Sequence, residues 1–126
     1  MSPLETVNTF MRCIESKDID AAVALLADDV SYENMPINPV VGRGAVGQVL
    51  EGFLQPAAQV EWRVLSEYEL GSTVINERLD RFQIGDGWLE LPVAGFFEVA
   101  DGLITLWRDY FDMGSYMSQL SSLTSS

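Results

Sequence analysis

The sequence predicts one α+β domain, with helices in its first half and an antiparallel sheet in its second. Three observations carry that expectation. Apolar residues recur at helical spacing only up to about Leu54. From Val60 onward, turn dipeptides fall at nearly even intervals between strand-like runs. The chain has 126 residues, 48% of them apolar, which suits one core and argues against a chain disordered throughout. No repeat, linker or second domain interrupts it, so a single domain over 1–126 is expected. The Ser-rich stretch from Ser118 reads as a fraying tail.

The elements follow in order. Ser2-Pro3-Leu4-Glu5 is a helix start: Ser2 caps, Pro3 suits the first helical position, and Glu5 completes a capping box. Leu4, Val7, Phe10, Met11 and Ile14 then share one helical face. Asp18 caps a second short helix through Leu26, ended by Asp28-Asp29. Val30 to Met35 alternates as a strand that stops at Pro36, and residues 36–44 read as loop. A third helix spans about Ala45 to Leu54, weakened by Gly47. Gly71-Ser72, Gly85-Asp86-Gly87 and Asp101-Gly102 then divide the remainder into strands near 60–70, 73–84, 88–99 and 103–112. Pro92 cannot donate to a ladder and marks an edge or a bulge.

Composition removes several function classes. The net charge of −12 opposes nucleic acid, whose affinity comes from Lys and Arg meeting phosphates. It also opposes docking on anionic membranes. There is no histidine and one cysteine, Cys13, so a Ser-His-Asp or Cys-His triad and a zinc site built on His or Cys pairs are excluded. Cys13 reads as a small hydrophobe on a helix. No stretch is apolar enough to span a bilayer and the N-terminus lacks a signal-peptide layout, so a cytoplasmic location is expected. Acid–base chemistry is left to Asp, Glu, Tyr, Lys and Arg.

Two strand-like segments place charge among apolar neighbours: Asn76-Glu77-Arg78-Leu79-Asp80 and Trp107-Arg108-Asp109-Tyr110-Phe111-Asp112. Side chains two apart on a strand share a face. Asn76, Arg78 and Asp80 therefore point one way. Asp109 points with Trp107, Phe111 and Leu103, while Tyr32 and Asn34 share a face on their own strand. From spacing alone two readings stay open. Arg78 and Asp80 are either a solvated sheet face or part of a site. Asp109 is either a structural carboxylate or a reactive one, and Trp107 and Phe111 are either core or ligand wall. Should the strands converge, one guanidinium can hold two carboxylates. With both acids ionised that triad carries one excess negative charge, which burial disfavours, so the pair tends to keep one proton. It then offers a proton donor and a proton acceptor without histidine.

Tyr32-Glu33-Asn34-Met35-Pro36, Gly42-Arg43-Gly44-Ala45-Val46, Glu77-Arg78-Leu79-Asp80 and Gly102 to Asp112 appear in an order that resembles the limonene-1,2-epoxide hydrolase family. The resemblance covers residues 32 to 112. It implies a cone-shaped α+β fold of the nuclear-transport-factor or polyketide-cyclase type, in which a curved mixed or antiparallel sheet and N-terminal helices enclose a deep pocket. It further implies a homodimer, no cofactor, no metal, and a small apolar epoxide hydrolysed to a vicinal diol. By the same resemblance Asp109 is the base that deprotonates water, and Tyr32 and Asn34 hold that water. Asp80 is the acid and Arg78 bridges the two carboxylates. Phe111, Trp107 and Leu79 are carried over as substrate contacts. A steroid-isomerase-like or polyketide-cyclase-like enzyme and a non-catalytic binder of an apolar ligand are the alternatives on the same fold.

Overall fold

The computed structural model describes residues 1–35 and 37–124. Pro36, where the first strand is expected to stop, and the last two residues of the expected tail lie outside them. Among the described residues there are four helices and six strands: α1 (Pro3–Glu15), α2 (Ile19–Val23), β1 (Leu26–Met35), β2 (Val40–Val41), α3 (Arg43–Leu54), β3 (Val60–Leu70), β4 (Thr73–Ile84), β5 (Gly87–Ala100), β6 (Leu103–Tyr110) and α4 (Met113–Thr124). None of the helices is long and apolar enough to cross a membrane. The strands form one curved sheet in the order β2-β1-β6-β5-β4-β3. Among the described residues only β1 with β6 is parallel, so the sheet is mixed.

The predicted capping box at Ser2 and Glu5 is formed, with the Ser2 hydroxyl accepting from the Glu5 N–H at 3.1 Å. The buried face of α1, Val7, Phe10, Met11 and Ile14, packs onto the inner face of the sheet, where Phe10 meets Trp107 edge-on at 5.0 Å. Together α1, α2 and α3 close that face, while alternate residues of β4 and β5 fill it from below.

Five expectations need correction. Asp28 and Asp29 do not end a helix but lie in β1, because buried Leu26 already pairs with Ile104 of β6 before a bulge shifts the register. Val40–Val41 forms a short strand inside the expected loop. The third helix starts earlier, at Arg43, after Gly42 turns the chain at φ 102° and Arg43 pairs with Asp28 at 2.5 Å. A register shift between Glu98 and Val99 puts Ile104, not Leu103, on the inner face with Trp107. Residues 118–124 of the expected tail do not fray but belong to α4. Its start is capped by the Asp112 carboxylate, which accepts from Gly114 N–H at 3.0 Å. Pro92 lies on an edge segment as expected: β6 pairs with β5 only from Ala94 onward.

Candidate active site

Strand alternation sends Asn76, Arg78 and Asp80 of β4 inward, and all three are buried. Across the sheet, Gly95 of β5 stands opposite Asn76 on one side and Asp109 of β6 on the other. Having no side chain, Gly95 leaves the space that the Arg78 guanidinium uses to reach over β5. A Cβ there would lie 2.7 Å from Asn76 Oδ1 and 3.0 Å from Asp109 Oδ1, and closer still to Arg78 Nη1. In that space Arg78 grips both acids. Its Nε and Nη2 donate to Asp80 Oδ1 and Oδ2 at 2.9 and 3.0 Å, and Nη2 also donates to Asp109 Oδ2 at 2.9 Å. Nη1 donates to Asn76 Oδ1 at 2.9 Å and more distantly to Asp109 Oδ1 at 3.3 Å. Trp62 stacks its ring 4.9 Å from the guanidinium carbon, adding a cation–π contact.

The two acids differ in surroundings. Burial pushes the Asp80 carboxyl up from 3.8 to about 6; Arg78 opposes this shift, and the charges of Asp109 and Glu15 add to it. Glu15 is held nearby, its Oε2 accepting from Trp62 N–H at 3.0 Å. Asp109 receives one donor that Asp80 lacks, the Trp107 indole Nε1–H at 3.0 Å. Arg78 keeps its charge, because the two carboxylates outweigh the burial that opposes it and hold its pKa above the ordinary value. The arrangement therefore favours a proton on Asp80.

The parallel β1–β6 register sets Tyr32 beside Trp107 and Asn34 beside Asp109. The Tyr32 and Trp107 rings stack at 3.9 Å, which fixes the phenol ring over the indole. Burial raises the Tyr32 phenol far above its usual range, so it stays a hydrogen-bond donor, with the Asn34 side chain as its neighbour.

Tyr32, Asn34, Asp80 and Asp109 all line a cavity of about 320 Å³. Its remaining wall is almost wholly apolar, with Phe53, Trp62, Phe82, Leu91 and Val93 among its members. Arg78 stands behind the two acids, fully buried, and is not part of this wall. Phe111 lines the cavity. The other two expected substrate contacts are corrected. Leu79 neighbours Arg78 in sequence and so points to the opposite face, into a shallow outer crevice with Leu65 and Pro92. Trp107 is fully buried between Tyr32 and Phe97 and acts on Asp109 instead. Reading the chain alone missed the wall residues of β5. Their signal is the alternation Leu89-x-Leu91-x-Val93, ending at Gly95 in the active-site row. It also missed Met113, Tyr116 and Leu120 of α4, of which only Leu120 lies in the Ser-rich stretch.

Comparisons with known proteins bear on the fold and the family. The family model of the limonene-1,2-epoxide hydrolase catalytic domain matches residues 1–122. Epoxide hydrolase EphG of Mycobacterium tuberculosis is 36% identical over 107 residues, covering 85% of this chain and 71% of that protein. The structure of an LEH-like epoxide hydrolase from M. tuberculosis superposes with a TM-score of 0.82 at 30% identity, covering 98% of this chain and 96% of the other. A protein of ketosteroid isomerase-like fold from Catenulispora acidiphila superposes at a TM-score of 0.81 with 20% identity, covering 94% and 93% of the two chains. That likeness shows the fold alone.

Proposed function

Because the chain belongs to the limonene-1,2-epoxide hydrolase family, we propose that it adds water to a small apolar epoxide in one general acid–base step, giving a vicinal diol without a covalent intermediate. The observation that carries this reading is a single guanidinium bonded to two carboxylates that both face an apolar cavity. Water held by Tyr32, Asn34 and Asp109 gives a proton to Asp109 as its oxygen attacks a ring carbon. The C–O bond breaks and the departing oxygen takes the Asp80 proton. The leaving alkoxide is otherwise very basic, so protonation during ring opening removes the main penalty. Holding the water in line supplies the orientation. The resting state returns when the proton on Asp109 is passed back to Asp80 through solvent, and no step calls on a cofactor.

A single-turnover reaction of cyclohexene oxide in heavy-oxygen water tests this route. Direct attack by water labels the diol in the first turnover. An unlabelled first-turnover diol requires an enzyme-derived oxygen and removes the one-step reading. Absence of diol from a panel of apolar epoxides, with tight ligand binding in its place, favours the non-catalytic binder of an apolar ligand. The cyclase and isomerase alternatives gain nothing specific from the site, since neither needs an acid and a base clasped by one arginine.

The proposal includes a homodimer. The outer face of the sheet exposes Leu65, Tyr68, Leu70 and Tyr110, four large apolar side chains that water solvates poorly. Pairing of this face with itself buries them. Sedimentation equilibrium is expected to give twice the 14.0 kDa chain mass, and Tyr68→Glu combined with Leu70→Glu to return it to one. A monomeric wild type contradicts the proposal.

A further inference from the structure

The C-terminal helix roofs the cavity and touches the core only from outside, through partly buried Tyr116, Leu120 and Leu123. None of the α4 residues is buried, yet Met113, Tyr116 and Leu120 form part of the cavity wall. Its main neighbour is the first half of β5, the stretch that has no β6 partner. On that free edge Gln119 Oε1 accepts from Glu90 N–H at 2.8 Å, and Gln119 Nε2 donates to Glu90 C=O at 2.8 Å. One side-chain amide thus satisfies both backbone groups of a single residue, as a neighbouring strand would. Pro92, two residues on, faces the same edge and offers no N–H. The second attachment is steric: Leu123 sits so close over Gly87 that an added Cβ would overlap its Cδ2. The third is the edge-on contact of Tyr116 with Phe111 at 6.4 Å.

The strand-borne part of the wall cannot yield as easily. Phe82, Leu89, Leu91 and Trp62 stand on β3, β4 and β5, and moving them breaks a continuous ladder. Moving α4 breaks the two Gln119–Glu90 hydrogen bonds and the side-chain packing of Tyr116, Leu120 and Leu123, but no strand ladder. We propose that α4 is a hinged cover and that Gln119 is its latch, a positioning residue that sets the largest epoxide the cavity admits. This rests on the hydrolase reading for its substrate class and on the fold alone for the hinge. Small epoxides fit beneath the closed cover. Larger ones must displace α4 and so feel the strength of the latch.

The test compares wild type with Gln119→Ala and with Gln119→Leu, which keeps the bulk and removes the amide. Steady-state kinetics use cyclohexene oxide as the small substrate and trans-stilbene oxide as the large one. In both variants the ratio of kcat/KM for stilbene oxide over cyclohexene oxide is expected to rise about fivefold or more, chiefly through KM, with cyclohexene oxide changed less than about twofold. An unchanged ratio, or an equal loss on both substrates, overturns the latch. Hydrogen exchange without substrate separates this outcome from failure of the hydrolase reading. The Glu90 amide and those of 113–124 are expected to exchange faster in both variants, while β4 and β6 are unchanged. Unaltered exchange at Glu90 and α4 refutes the latch whether or not any epoxide is turned over.

Discussion

Asp80→Asn and Asp109→Asn are each expected to lower kcat/KM on an apolar epoxide by about 10²–10⁴-fold while leaving the fold intact. Either substitution removes one proton-transfer partner and keeps the shape of the side chain. The fold survives because Arg78 retains one buried carboxylate in each variant, so no charge is stranded. Removing Arg78 instead leaves two buried acids without their cation, at a cost of about 3–5 kcal/mol of stability. The pH dependence follows from the raised carboxyl at position 80. In the proposed mechanism the acid form of Asp80 gives the proton, so kcat/KM of the wild type is expected to decline as pH rises through about 6. That limb is expected to vanish from the residual activity of Asp80→Asn. Stability has the same sign. The folded chain holds the Asp80 proton more tightly than the unfolded one, so this contribution is present below 3.8 and lost as pH rises through about 6. Thermal melts at pH 4 and pH 7 should therefore show the wild type losing ground to Asp80→Asn at the higher value. Near-wild-type turnover in either variant contradicts the assigned roles.

The legibility of this site in the sequence has a physical boundary. Alternation with period 2 puts Asn76, Arg78 and Asp80 on one face without any structure. It does not say which face is inward, because β4 carries charged residues on both. That decision depends on strand order: β5 lies between β4 and β6, and only there does Gly95 open a passage from Arg78 to Asp109. The same rule already puts Leu79 opposite Arg78, so carrying it over as a substrate contact from a family motif sets local geometry aside. Trp107 fails differently. Its face is read correctly, but an indole two residues from Asp109 can bond the carboxylate as well as line a wall, and only the hydrogen bond decides. The helical half was readable from caps and apolar spacing. The start of β1 was not, because Leu26 is claimed by a distant pairing with Ile104. Nor was α4, whose Ser residues lower intrinsic helix propensity and whose stability comes from lying on β5.

Gly95→Ala is expected to cut kcat/KM by about 10²-fold or more with a modest loss of stability, roughly 1–3 kcal/mol from overpacking. The new methyl group would stand within 3.0 Å of three polar atoms, on Arg78, Asn76 and Asp109. None of them can swing away freely. Arg78 is held by Asp80 through two bonds, Asn76 is held by Arg78, and Asp109 is held by Trp107. The guanidinium must therefore slide back toward Asp80, lengthening the contacts to Asp109 that at 2.9 and 3.3 Å are already uneven. The acid then keeps its partner while the base loses part of its anchor, and a displacement of about 1 Å at a reacting group suffices for the stated loss. The Tyr32 phenol and the Asn34 amide, which in the proposed mechanism hold the water, stay in place on β1, so substrate binding is expected to change little and the deficit to fall on kcat. Kinetics well below the melting temperature, paired with the melt itself, separate the two effects. A Gly95→Ala enzyme with wild-type kcat would show that the Arg78 bridge to Asp109 is dispensable, and the push–pull arrangement with it.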